Sequence, residues 1–150
     1  MNIFILDRDP MRAARAHCDK HVSKMILESA QMLCTVLGGP YKPTHANHPC
    51  TKWIAESQAN AEWLINLSWY LNDEWRARYG HNHNHKSWEV IRELDMADAV
   101  AKLPRGRRTP FALAMPEEFK CGDAVQSYRA YYKSKPFAKW EYSKQPRWWS

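Results

Sequence analysis

The sequence predicts a mainly α fold, a compact single-domain helical bundle entered through a short extended N-terminal segment. Three observations lead there. Five glycines in 150 residues are too few for the tight turns of an all-β design. Two long stretches repeat apolar side chains at helical spacing. Each of these opens on a proline and ends at a glycine, the polarity expected of a helix. At this length one core suffices, so residues 1–150 are read as one domain, with an aromatic, basic C-terminal segment from about 128 to 150.

Residues 2 to 6, Asn-Ile-Phe-Ile-Leu, are short, apolar and β-prone, which fits a strand or an extended lead into the core. Asp7 or Asp9 caps a first helix that starts near Pro10, bends near Ala16 or His17, and runs to Leu37 before Gly38-Gly39-Pro40 stops it. A loop bracketed by Pro40 and Pro49 follows, with Asn47 or His48 able to cap the next helix. That helix spans Pro49 to Tyr79, with Trp53, Trp63, Leu67 and Leu71 turned inward and Gly80 at its end. A third helix covers about Ser87 to Val100, the stretch Leu103 to Pro110 is a basic loop, and a short helix lies around Asp123 to Lys133.

The formal charge of +6, with eight Trp and seven Tyr, favours a polyanionic partner, and nucleic acid is the natural one. Basic charge also serves colloidal stability. The N-terminus is apolar for four residues and then charged, which is neither a signal peptide nor a membrane span, so a cytoplasmic protein is expected. Cys18, Cys34, Cys50 and Cys121 show no CxxC spacing and are expected to be free thiols.

The most informative stretch is His17-Cys-Asp-Lys-His-Val-Ser-Lys-Met-Ile-Leu-Glu28. As a helix it places His17, His21, Lys24 and Glu28 on one face, while Val22, Met25, Ile26 and Leu33 cover the rest. A mostly buried row of imidazole, ammonium and carboxylate is costly unless its members satisfy one another or face a cleft. The row therefore reads as the wall of an active site, although a Lys–Glu pair at this spacing is equally a common surface salt bridge. A metal is the alternative: His17 and His21 at i and i+4, completed by His48 and Cys50, could form a tetrahedral shell. Lys24 one turn away would repel the cation, so neither metal nor cofactor is expected.

Two further groups fit nucleic acid. The rigid loop carries Lys42, Thr44, His45, Asn47 and His48, and the later basic loop Arg105, Arg107 and Arg108. In the tail, Tyr132, Lys139, Trp140 and Trp148 belong to a run that interleaves rings with cations, suited to stacking on exposed bases while neutralising phosphates. Tyr131, Phe137 and Trp140 could instead anchor the tail to the core. Lys20, on the first helix, joins the candidate phosphate contacts.

Met-Asn-Ile-Phe-Ile-Leu-Asp-x-Asp-Pro, the His17–Glu28 stretch and Asn47-His48-Pro49 with Trp53 together resemble a group of small bacteriophage proteins. More distantly, Glu28 with Gln31, Tyr41-Lys42 and Asn47-His48-Pro49 are similar to the pyrimidine-dimer DNA glycosylases of the endonuclease V type. That resemblance implies an all-α enzyme that flips a nucleotide out of duplex DNA and attacks the sugar C1′ with its N-terminal amine. Glu28 matches the assisting glutamate, with Lys24, His21 and Arg12 or Arg15 as phosphate or base contacts. In that family the amine belongs to a small residue exposed by removal of the initiator Met, whereas Asn2 is a poor context for removal. The nucleophile is thus left open among Met1, Asn2 and Lys24. The reading is a base-excision glycosylase with AP-lyase activity on a damaged or modified pyrimidine. Its rivals are a phage nucleotide or modified-base transferase or hydrolase, and a non-catalytic nucleic-acid-binding or host-takeover protein.

Overall fold

The computed structural model describes all 150 residues. It is all-α: six α-helices, α1 (Pro10–Ala16), α2 (Asp19–Leu37), α3 (Pro49–Glu56), α4 (Gln58–Tyr79), α5 (Lys86–Met96) and α6 (Ala124–Lys133), with three single 3₁₀ turns. Residues 2–6 are buried and form neither helix nor strand; the Leu6 N–H donates to the Phe4 carbonyl at 3.0 Å, a tight turn at the end of the segment. No helix is long and apolar enough to cross a membrane.

The expected first helix is broken rather than bent. Asp9 caps α1, accepting from the Met11 N–H at 3.0 Å, and the chain leaves helical geometry at His17 (ψ 137°) and Cys18 (ψ 160°) before α2 begins. A break inside the core frees carbonyls that must find other donors. Arg78 of α4, its side chain only 2 % exposed, supplies most of them: Nη1 donates to the His17 carbonyl at 2.7 Å and Nη2 to that of Arg15 at 3.1 Å. Trp140 Nε1 serves Ala16 at 3.2 Å, and Tyr132 Oη takes the Cys18 N–H at 2.9 Å. The guanidinium is balanced by Asp19 and Glu74 at 3.1 and 2.9 Å.

The second long helix is likewise two. Ser57, extended at φ −161°, ends α3 and caps α4 by accepting from the Asn60 N–H. Asn60, fully buried, then donates to the Trp53 carbonyl and Thr109 Oγ1 and accepts from the Thr109 N–H, which ties the basic loop down to the break. The third helix stops at Met96, short of Val100, because the chain turns through Asp98 at φ 55° into a 3₁₀ turn. Gly38 and Gly80, at φ 77° and 68°, terminate α2 and α4 where only glycine fits without strain.

Helix α4 is the spine, packed against α1, α2, α3 and α5. The N-terminal segment packs along α6, where Phe4 meets the rings of Tyr128, Tyr131 and Tyr132, and it buries Ile3, Phe4, Ile5 and Leu6. All four cysteines are free, and three are buried.

Candidate active site

The head of the chain is fixed by polar contacts. Asn2 donates from Nδ2 to the Ala114 carbonyl at 2.8 Å, while its Oδ1 receives the Ile3 N–H, the Tyr128 hydroxyl and, at 3.5 Å, the Cys50 thiol. The Asn2 N–H donates to Glu28 Oε1 at 3.0 Å. The amino nitrogen of Met1 stands 3.4 Å from the same oxygen, and Lys24 Nζ is 3.9 Å from Oε2. One carboxylate, 12 % exposed, thus faces two amines.

These groups line a cavity of about 230 Å³ with Phe4, His21, Tyr131, Lys135 and Phe137. Lys135 belongs to the site although the motif reading did not single it out. Its ammonium lies 4.2 Å from the Tyr131 ring, 5.2 Å from Phe4 and 5.8 Å from Phe137, so three ring faces hold the cation at the cavity wall. His21 stacks on Phe4 at 4.8 Å and meets Tyr132 Oη at 2.9 Å. Burial, with His17 and the charges of Lys135, Lys24 and Lys20, drives the His21 pKa down to about 2, so the ring is neutral. A wall with two lysines, an amine and one carboxylate carries excess positive charge and attracts an anion.

Of the expected row, His21, Lys24 and Glu28 meet in the cavity and His17 does not. His17 lies in the break ahead of α2, fully buried, donating from Nδ1 to the Ala13 carbonyl at 2.7 Å. Burial lowers its pKa to about 4. The alternative metal set is not assembled: nowhere do three His, Cys, Asp or Glu side chains converge as a metal-binding group. His17 and His21 turn their Nδ1 atoms to Ala13 and Tyr132, His48 Nδ1 caps α3, and burial pushes the Cys50 thiol up to about 11.

The remaining expected contacts are dispersed. Arg12, Arg15 and Trp148 line a separate pocket of about 500 Å³ near Leu6, where Arg129 lies 5.4 Å from the Trp148 ring centre. Lys42 and Thr44 line a groove that shares Lys24 with the Glu28 cavity. His45 and Asn47 are exposed, and His48 lies near enough to Met1 that burial and the amine's charge lower its pKa. Lys20 and Lys139 are exposed, with Lys20 Nζ 4.8 Å above Phe137. Arg105 and Arg107 project from the loop, while Arg108 covers the Phe111 ring at 4.1 Å. Tyr132 is fully buried at the helix break and offers no face for stacking on a base, and Trp140 is held there by its bond to Ala16. These two are anchors because the freed backbone groups required partners.

A family model described as pyrimidine dimer DNA glycosylase matches residues 1–87, more than half of the chain. The protein belongs to that family. No curated protein and no solved structure matches the chain. The matched span contains Met1, Asn2, His21, Lys24 and Glu28, whereas Tyr131, Lys135 and Phe137 reach the cavity from outside it.

Proposed function

We propose that the protein is a base-excision DNA glycosylase with associated AP-lyase activity, acting on a damaged or modified pyrimidine by the endonuclease V type of chemistry. The observation that carries this is the pairing of the Met1 amine with Glu28 at 3.4 Å inside a cation-rich cavity. An α-amine sheds its proton nearer neutrality than a lysine ammonium does, and it is then a competent nucleophile.

The target nucleotide leaves the duplex and presents its sugar to the cavity. The amine attacks C1′ as the N-glycosidic bond breaks, and the base departs with the bonding pair and gains a proton. Glu28 takes a proton from the attacking nitrogen and stabilises the positive charge that develops on the sugar. Ring opening leaves an iminium, removal of a C2′ proton expels the 3′ phosphate, and water releases the amine. At about 230 Å³ the cavity is below the usual size of a small-molecule site, in keeping with a sugar as the group presented to it. Were Met1 removed, the Asn2 nitrogen would be the amine, already 3.0 Å from Glu28. Lys24 at 3.9 Å is the second candidate, and it would keep the class and move the nucleophile.

Glu28→Gln tests the reading. It keeps the shape and an acceptor for the Asn2 N–H but removes the charge. Incision of DNA bearing a pyrimidine dimer or an abasic site should fall by about 10²- to 10⁴-fold while duplex binding persists. Full activity of this variant would overturn the role given to Glu28.

A further inference from the structure

A groove of about 820 Å³ runs beside the Glu28 cavity and joins it at Lys24, which lines both. Its walls come from α2, from the loop after Gly38 and from the start of α5. Lys24, Lys42 and Lys86 line it and no carboxylate does, so it has the charge to hold a phosphodiester strand. One side chain is out of keeping with that lining. Leu27, on α2 immediately before Glu28, is 41 % exposed, and of the protein's large exposed apolar residues it alone lines either cavity.

The spacing sets its direction. Lys24, Leu27 and Gln31 fall at i, i+3 and i+7, one stripe of α2 that lines the groove, and Glu28, the residue after Leu27, lines the cavity. A branched apolar side chain in a cationic groove loses nothing by entering a base stack, where an apolar wedge between two base steps substitutes for a displaced base. Nucleotide extrusion leaves such a gap, and its cost is the unstacking that a wedge offsets.

We infer that this groove seats the damaged strand and that Leu27 is the wedge that fills the stack when the target nucleotide leaves it to present its sugar to the Glu28 cavity. The inference rests on the base-excision reading above. Leu27 is a positioning residue: it acts on the duplex, and the chemistry at C1′ needs it only when a nucleotide has to be extruded. Lys42 and Lys86 hold the flanking phosphates while Leu27 enters.

The test compares two substrates, a duplex carrying a pyrimidine dimer and a single strand carrying an abasic site, which needs no extrusion. Leu27→Ala, at an exposed position, should cut the duplex about tenfold or more slowly yet cut the single strand within about twofold of the wild-type rate. Leu27→Met, which keeps the apolar bulk, should restore duplex cutting. With 2-aminopurine opposite the lesion, the fluorescence rise on binding should shrink in Leu27→Ala and return in Leu27→Met. Equal loss on both substrates, or undiminished duplex cutting by Leu27→Ala, would overturn the wedge. Wild-type protein that cuts neither substrate would instead overturn the base-excision reading on which it rests.

Discussion

The Asn2 N–H donates to Glu28 Oε1 across 3.0 Å, so the residue that follows the Met1 amine also fixes the carboxylate facing it. Neither can shift without the other. Asn2 is itself held by Ala114, Tyr128 and Cys50, from three separate parts of the chain. The amine–carboxylate geometry is therefore set by the folded core rather than by a flexible end, which is the preorganisation that a nucleophile and its proton acceptor require.

Arg78 should prove a stability determinant rather than a substrate contact. It closes the break between α1 and α2 with two carbonyl bonds and balances Asp19 and Glu74. Removing one member of a buried ionic network strands the others, at a cost of about 3–5 kcal/mol. Arg78→Ala should lower unfolding stability in urea by that order, and a loss under about 1 kcal/mol would contradict the assignment.

Stability should also fall on mild acidification. His17 and His21 are held neutral in the folded state, at about 4 and about 2, against 6.5 as the ordinary imidazole value. Below pH 6.5 the unfolded chain takes up protons that the folded chain refuses, so folding weakens as pH drops from 6.5 toward 4. The contribution is complete above 6.5, and for His17 the loss approaches about 3 kcal/mol by pH 4. His17 Nε2, buried with no partner, gives an added proton no acceptor. Urea titrations at pH 7.5 and 5 should show this fall; equal stability at the two pH values would argue that His17 is reached by solvent.

Much of this was legible in the residues. Proline-opened, glycine-closed periodic stretches carry the all-α fold, and the four-three-four spacing points at His21, Lys24 and Glu28. His17 was misplaced because spacing counts residues as if the helix were unbroken. The break depends on Arg78, Tyr132 and Trp140, each more than 55 residues away, and no local pattern announces them. The break at Ser57 was more accessible, since Ser with Asn60 three residues on is a capping arrangement inside a periodic run. Lys135 carried a weaker signal: Tyr131 and Lys135 at i and i+4, followed by Pro136-Phe137, group a cation with two rings. What sequence spacing does not disclose is that these rings meet the head of the chain.

The central claim is covalent chemistry by an amine beside Glu28, and borohydride trapping reads it most directly. The protein is incubated with labelled duplex DNA bearing an abasic site or a pyrimidine dimer, reduced, digested and mapped by mass. An adduct on the α-amine of Met1, or of Asn2 where Met1 has been removed, is the predicted result, and it should vanish when that amine is capped by N-terminal acetylation. An adduct on Lys24 would contradict the choice of nucleophile, and strand scission without any adduct, or neither, would contradict the mechanism.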